Sequence, residues 1–297
     1  KTNNKMKITG LLLSVMMIVT AFGAFSLSAS AVETSATGSW GEYVPATNTY
    51  TYADFSPFNE STNGGKTGMD NDPYEISTPA QLAALAALVN RYNGNATKLT
   101  GINDSTATTS NFAGKFIKLS EDIDISGKQW IPIGIDSSYN VFSGNFDGAG
   151  YTVKGLTIGS SESPNQELKY AGLFGYVKYS PGDLGRGRNE IKNLHVSGAI
   201  YSAANASYGS VGGVVGYVAS NSYVLDCHSS VTVSGVSFVG GVVGTNDGGS
   251  VQRSYNTGSV RGTGMGVGGV VGHNSGTVDN CYNEGTVSGT GDGVGGV

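Results

Sequence analysis

Charged residues are scarce in this sequence. Lys and Arg together number 17 and Asp and Glu 22 among 297 residues, which gives a formal net charge of −5 at pH 7. Proteins that bind nucleic acids or anionic membranes do so through clustered Lys and Arg. A mildly acidic chain with so few charges argues against both, and we expect neither nucleic acid nor a membrane surface as a partner.

Residue patterns that carry catalysis are also lacking. The three histidines form no His-Glu-x-x-His zinc-peptidase motif, and no Gly-x-Ser-x-Gly phrase precedes a predicted helix. The densest acidic group, residues 121–124, has too few oxygen donors for a calcium loop, so we interpret it as a solvated strand face. Glycan cleavage needs two carboxylates about 5 to 9.5 Å apart, and the repeats described below place no acids in adjacent copies of one position. We therefore predict no catalytic residue, metal site or cofactor, and interpret the chain as a non-enzyme.

Glycine, by contrast, is abundant, with 47 residues, and it recurs in register with valine. The phrase Val-Gly-Gly-Val-Val-Gly begins at Val211, Val239 and Val267, and a fourth copy begins at Val294 and stops at Val297. The starts lie 28, 28 and 27 residues apart. A period of this length is typical of a solenoid, in which each repeat forms one coil.

The second half of each repeat is equally regular. Asp226-Cys-His228, Arg253-Ser-Tyr255 and Asn280-Cys-Tyr282 occupy the same place, and a Val-rich run that ends in Gly follows each of them. Short Val-rich runs bounded by Gly, Asn and Ser predict strands joined by tight turns. Such a unit holds about three short strands, which is typical of one coil of a parallel β-helix, whereas a propeller blade needs about 40 residues.

These phrases resemble the GLUG-motif repeats of bacterial surface proteins. The resemblance rests on Gly-Leu-Phe-Gly at 172–175 and the later Gly-Val-Val-Gly phrases, each followed by an Asn/Asp-Cys-Tyr/His or similar triplet and by Gly-x-Val-x-Gly. Residues 74–148 look like the block that commonly precedes such repeats. The resemblance covers residues ~70 to 297. It implies an all-β, right-handed parallel β-helix displayed outside the cell, as found in adhesin-like proteins and in accessory regions of secreted peptidases.

The N-terminal part of the chain predicts export and a cap. Lys5 and Lys7, an apolar run and Ala29-Ser-Ala31 are typical of a signal peptide cleaved after Ala31, with no membrane span left in the mature chain. Cleavage would delete three lysines and no acid, which changes the net charge to −8. Ser77 or Thr78 can cap a helix that continues to Asn90, and its leucines share one face. An amphipathic helix here would cover the open first coil of the solenoid.

Four segments follow from these observations. They are a signal peptide (1–31), a polar lead-in (32–70), the cap helix with the first coils (71–165), and the GLUG-type β-helix (166–297), which stops in the middle of a phrase. We interpret the chain as a secreted or surface-displayed, non-catalytic stalk or adhesion module that contacts glycan or host or matrix protein. The alternative is an accessory region of a secreted peptidase or glycan-active enzyme whose catalytic domain lies beyond Val297.

One column of the repeat is a candidate ligand-binding site. His195, His228, Tyr255 and Tyr282 fall in corresponding positions and are expected to stack in successive coils. Regular coils produce structural ladders of this kind by geometry alone. The alternative interpretation is an outward aromatic stripe that stacks on sugar rings.

The two cysteines also share one column. Cys227 and Cys281 lie two repeats apart, with Ser254 between them. One coil per repeat places their backbones about 9.6 Å apart, whereas a disulfide requires Cα atoms within about 7 Å. We therefore predict two free, inward-facing thiols.

Overall fold

The computed structural model describes residues 53–59, 62–90, 111–136, 140–181, 187–204 and 209–297, together with the backbone of three short strands between 39 and 50. These residues belong to one compact unit, 38–297. The predicted signal peptide (1–31) with its cleavage after Ala31, much of the lead-in and the polar insertion at 93–110 lie outside the described residues.

Parallel strands stack into four sheets, which we name A to D. Sheet A contains Tyr74–Ile76, Phe116–Leu119, Asn145–Asp147, Asn189–Lys192, Ser222–Leu225, Ser250–Gln252 and Thr277–Asp279. Sheet B contains Ile123–Asp124, Thr152–Ile158, His195–Tyr201, His228–Gly235, Tyr255–Asn256 with Val260–Gly262, and Tyr282–Asn283 with Val287–Gly289. Sheet C contains Tyr170–Ala171, Ser210–Gly212, Val239–Gly240, Val267–Gly268 and Val294–Gly295. Sheet D contains Phe174–Val177, Val215–Ala219, Val243–Asp247 and Val271–Asn274.

Smaller elements accompany these sheets near the N-terminus. They are a parallel pair (Ser39–Trp40 with Gln129–Trp130), an antiparallel pair (Tyr43–Val44 with Thr49–Tyr50), a 3-10 helix (Ser56–Phe58) and one α-helix (Pro79–Asn90).

The strand register shows that one repeat forms one coil. Val211 pairs with Val239, Val239 with Val267, and Val267 with Val294, so the repeated phrase lies directly above itself in successive coils. The chain passes through sheets C, D, A and B in that order before it enters the next coil. Each coil therefore holds four short strands, one more than the sequence predicted, because the Gly-Gly corner divides the repeated phrase between sheets C and D. The parallel β-helix predicted from the repeat is confirmed.

The interior changes in character along the axis. The first coils are filled by large side chains, including Trp130, Phe142 and Phe146, all of which are fully buried. In the later coils the same space is filled by stacked valines, among them Val239 and Val243. All of these residues belong to one continuous core, as expected when no coil can bury its apolar surface alone.

The glycines of the repeated phrase lie where two backbones touch. A Cβ atom on Gly240 would lie 1.9 Å from the carbonyl oxygen of Val243, and a Cβ atom on Gly268 would lie equally close to that of Val271. These contacts join the end of the sheet C strand to the beginning of the sheet D strand. Any side chain here would displace the backbone, so the phrase requires glycine for close approach.

The helix Pro79–Asn90 begins and ends as its sequence indicates. Thr78 Oγ1 accepts a hydrogen bond from the Gln81 N–H at 3.3 Å, which confirms the predicted cap. At the other end, the side chain of Asn90 donates to the Pro132 carbonyl and accepts from the Gly134 N–H. These two bonds tie the helix to the first coils of the solenoid.

The expectation that this helix is amphipathic is wrong. Residues 82–87 are all buried, alanines as well as leucines. The physical reason is that segment 53–59 also packs against the helix: the Asp54 N–H donates to the Ala80 carbonyl, and Gln81 Nε2 donates to the Asp54 carboxylate. A helix covered on several sides has no polar face to display.

Among the described residues, no helix combines the length and the apolar character needed to span a membrane.

Both cysteine thiols are free, as predicted. Cys227 is fully buried and donates to the Leu225 carbonyl at 3.3 Å, and Cys281 is half-buried and donates to the Asp279 carbonyl at the same distance. Between them in the column, Ser254 Oγ accepts the Cys227 N–H at 3.1 Å. Burial raises the pKa of the Cys227 thiol to about 12 and also raises the pKa of Cys281.

We predict that Gly240→Ala strongly destabilises the β-helix. The new methyl group would overlap the Val243 carbonyl, so the free energy of unfolding should fall by about 1 to 3 kcal/mol or more. Urea unfolding followed by circular dichroism measures the change. The control is Gly127→Ala, because a Cβ atom on Gly127 meets nothing within 4 Å and only the positive φ of +82° opposes the change. Equal stability of the two variants would contradict the proposed backbone contact.

We also predict that thiol labelling distinguishes the two cysteines. In the native protein Cys281 should react slowly with a maleimide and Cys227 should not react, because Cys281 is partly accessible to the reagent whereas Cys227 is fully buried. Both should react after unfolding in urea without reductant. Intact mass spectrometry counts the labels, and a mass two hydrogens lighter with no labelling in urea would reveal a 227–281 disulfide and contradict the register.

Candidate functional site: an aromatic column on sheet B

The four candidate residues come together in one column on the outer face of sheet B. His195 pairs with His228, His228 with Tyr255, and Tyr255 with Tyr282, each on the adjacent parallel strand. The first three side chains are partly exposed, and Tyr282 is 48% exposed. We call this set the aromatic column.

The rings of the aromatic column stack on one another. The centroids of His228 and Tyr255 lie 4.1 Å apart with their planes at 11°, and those of Tyr255 and Tyr282 lie 4.8 Å apart at 5°. His195 meets His228 edge to face, at 4.8 Å and 88°. Because stacked ring faces cover each other, the column offers a ligand ring edges, hydroxyl groups and imidazole nitrogens. A sugar ring cannot lie flat on Tyr255, because both faces of that ring are covered. A sugar that binds here would instead contact ring edges and polar atoms.

The His228 ring is held by its hydrogen bonds. Its Nε2 atom lies 3.0 Å from Thr257 Oγ1, and the Thr257 hydroxyl in turn reaches the Ser229 carbonyl at 3.5 Å. Partial burial lowers the pKa of His228, and the neighbouring His195 adds a smaller effect in the same direction. The folded protein therefore favours neutral His228.

The corner before the aromatic column has an unusual backbone. The residues two positions before each column residue adopt positive φ near +50°, and they are Asn193, Asp226, Arg253 and Asn280. Asn and Asp tolerate this left-handed conformation, whereas it costs most other residues about 1 to 2 kcal/mol. Arg253 is held there by two 2.7 Å hydrogen bonds to the Asp226 carboxylate. The repeated triplets contain these corner residues, but their conformation was not predicted.

Asparagines hold the strands that carry the two tyrosines. Asn256 lies next to Tyr255 and points inward, where its Nδ2 donates to Asn283 Oδ1 at 2.8 Å and to the Gly258 carbonyl at 2.7 Å. The Gly258 N–H returns a bond to Asn256 Oδ1. Asn283 makes the same pair of bonds with Gly285. This ladder closes the break in each sheet B strand and fixes the tyrosine beside it.

The rest of the outer face of sheet B carries mainly serine and threonine, together with Ala199, Tyr201 and Arg261. Ser197 pairs with Ser230, and Ala199 with Thr232. A further column contains Tyr201, Ser234, Arg261 and Ser288. Alternate residues on these strands, such as Val231 and Val233, are buried in the core. The outer face therefore places hydroxyl groups beside the aromatic column in a repeating array.

A second aromatic group, on sheets C and D, was missed by the sequence analysis. Tyr176 and Tyr217 stack at 4.6 Å and 9°, Tyr170 packs edge to face against Tyr176 at 4.9 Å, and the Tyr217 hydroxyl donates to the Asp247 carboxylate. Burial raises the pKa of Tyr176 to about 12 and, with Asp247, raises that of Tyr217. Tyr170 and Tyr176 are buried, so this cluster serves packing. The sequence does contain a pattern that indicates this cluster, because Tyr176 and Tyr217 each follow the last Gly of the repeated phrase.

Charged groups gather in a shallow groove on sheet A, with a volume of about 220 Å³. Glu190 is almost fully buried there and binds Arg188 at 2.8 Å. Lys192 lies 3.8 Å from both the Glu190 and the Asp147 carboxylates. The sequence analysis did not find these two acids because they lie in different columns of the less regular first coils. Glu190 and Asp147 are each paired with a cation, so neither stands ready as a free catalytic carboxylate.

We predict that His228 makes stability depend on pH. Because the pKa of His228 is lowered in the folded protein, its contribution is fully present above about pH 6.5, the ordinary histidine pKa, and is lost as the pH falls through the lowered value. Urea unfolding between pH 8 and pH 5 should show this loss, and H228Y should reduce it, because tyrosine stays neutral and can stack as Tyr255 does. An unchanged pH profile in H228Y would show that groups other than His228 cause the loss of stability at low pH.

One coil of the chain matches a known sequence motif. Residues 263–288 match the GLUG motif, and they span one coil from sheet C to sheet B, including Tyr282. No curated protein shows significant similarity to the chain. A solved structure, that of "a putative immunoglobulin A1 protease from Bacteroides ovatus", is similar over 83% of this chain and 89% of its own, with 18% identity and a TM-score of 0.47. The chain thus carries the GLUG motif as a coil of a parallel β-helix.

Proposed function

We propose that this chain is a non-catalytic, extracellular stalk or adhesion module that contacts glycan or host or matrix protein through the outer face of sheet B. The observation that carries the proposal is the aromatic column, since it aligns equivalent ring edges and polar atoms in four successive coils. Repeated groups on one face suit a ligand that is itself extended. The predicted signal peptide supports a location outside the cell.

The chemistry of this face favours several weak contacts over one tight pocket. Tyr hydroxyls and imidazole nitrogens can both donate and accept hydrogen bonds, and the neighbouring columns add Ser and Thr hydroxyls. Each exposed hydrogen bond contributes little by itself. A polymer that follows the coils engages several of them at once, which raises its overall affinity.

The scaffold supports this mode because the contact groups are already ordered before a ligand arrives. The inward Asn256 and Asn283 ladder fixes the strands of Tyr255 and Tyr282, and ring stacking fixes the side chains. Binding therefore orders few additional side chains, which reduces its entropic cost. The same stacking of coils makes the chain a suitable spacer.

We predict that the tyrosine hydroxyls contribute to ligand binding. A panel of mucins, matrix proteins and immobilised glycans would be screened with the full chain, and Y255F/Y282F would then be tested on every ligand found. Two lost hydrogen bonds should weaken binding by about tenfold, while the ring stack remains. The matched control is Y217F, which changes an equally stacked tyrosine on sheet D and should leave binding intact.

Two results would contradict the proposal. Undiminished binding by both Y255F/Y282F and Y255A/Y282A, with the fold retained by circular dichroism, would exclude the aromatic column as the contact surface. Cleavage of a bound glycan or protein by the purified chain would show that it is an enzyme.

A further inference from the structure

Two imidazoles lie side by side at the start of the aromatic column. His195 and His228 are direct partners on adjacent parallel strands, project from the same face, and have ring centroids 4.8 Å apart. Both side chains are partly exposed. The sequence motifs predicted no metal site, but from this geometry we propose that these two histidines bind a divalent transition-metal ion, with Cu²⁺ as the preferred ion and Zn²⁺ or Ni²⁺ as weaker alternatives.

The hydrogen bonds of His228 select a tautomer that can coordinate a metal. Because the Thr257 hydroxyl donates to the Ser229 carbonyl, its oxygen is left to accept a hydrogen bond from His228 Nε2–H. The proton on Nε2 leaves the lone pair of Nδ1 available. A metal-binding histidine commonly donates its other ring N–H to a neighbouring oxygen in this way, which orients the ring.

The two rings are close enough to share an ion if the His195 side chain rotates, because they now meet edge to face. Tyr255 stacks behind His228 at 4.1 Å and supports it from one side, while His195 meets it from the other. Zn–N bonds are about 2.0 to 2.1 Å long, so two nitrogens on one such ion lie no more than about 4 Å apart. The ring centroids lie 4.8 Å apart, so the proposed site requires the partly exposed His195 side chain to rotate until one of its nitrogens lies within about 4 Å of His228 Nδ1.

The donor set decides the class of ion. Neutral imidazole suits Cu²⁺, Zn²⁺ and Ni²⁺, and Cu²⁺ binds most tightly to a given nitrogen site. Within the part of the chain that the structure describes, no group of three or more His, Cys, Asp and Glu side chains is gathered for a metal. The site therefore rests on two protein nitrogens, and water would complete the coordination on the exposed face.

The experiment uses the full chain without a histidine tag. Cu²⁺ is titrated into the protein in the absence of any glycan or protein ligand, and electron paramagnetic resonance records the nitrogen hyperfine pattern. We expect one ion per chain bound through two nitrogens. H195Q and H228Q should each weaken binding by more than about tenfold, since disturbing only the surroundings of a metal ligand costs that much.

Two further variants make the test specific. H273Q is the matched control, because His273 lies on sheet D, and it should bind Cu²⁺ like the unchanged chain. T257V removes the acceptor that orients His228 and keeps both histidines, so it should weaken binding less than H228Q does. Circular dichroism checks that every variant is folded.

The unchanged chain can overturn the proposal without any variant. Lack of Cu²⁺ binding, or a hyperfine pattern from a single nitrogen, excludes a shared ion. Equal binding by H195Q, H228Q and the unchanged chain excludes these two residues, and loss of binding in H273Q places the ion elsewhere. Because no other ligand is present in the titration, each of these results is independent of the proposed adhesive function.

Discussion

Hydrogen bonds between the backbones of successive parallel strands place each side chain directly over its counterpart one repeat earlier. The valine columns inside and the aromatic column outside both follow from this single register, as the pairs Val239 with Val267 and Tyr255 with Tyr282 show. Inside, the alignment buries a continuous apolar core that no coil could form alone. Outside, it turns one residue of the repeat into a row of equivalent groups. The surface chemistry of the molecule is therefore a consequence of how its interior stacks.

Within each coil, the corner between sheets C and D requires a close backbone contact. Gly240 and Gly268 touch the carbonyls of Val243 and Val271, where a methyl group would not fit. The valines around this contact are fully buried, namely Val239, Val242 and Val243. Glycine and valine therefore have different structural roles in the repeated phrase. Glycine allows the backbone approach, and valine fills the narrow interior that results. This division explains why the phrase recurs with so little variation.

Sequence reasoning succeeded where the chain repeats itself and failed where it does not. The coil, the free thiols of Cys227 and Cys281, and the Thr78 cap follow from local patterns. The buried environment of the helix could not be predicted. Segment 53–59 covers the helix, but this segment has no periodic pattern that would indicate where it packs. The same holds for Glu190 and Asp147, which lie in irregular coils and meet through Lys192. Their proximity depends on insertions whose length the repeat does not define.

The sequence by itself determined the period, the parallel β-helix and the shared column of His195, His228, Tyr255 and Tyr282, because identical spacing leaves few ways to stack identical coils. Only the tertiary structure decided how those rings meet. Flat stacking covers the tyrosine faces, and an edge-to-face contact joins the two histidines. The reason is that ring orientation depends on neighbours from other coils, such as Thr257 beside His228, and on the inward asparagines that hold each strand. A repeat identifies which residues become neighbours, and packing across coils determines which of their atoms face a ligand.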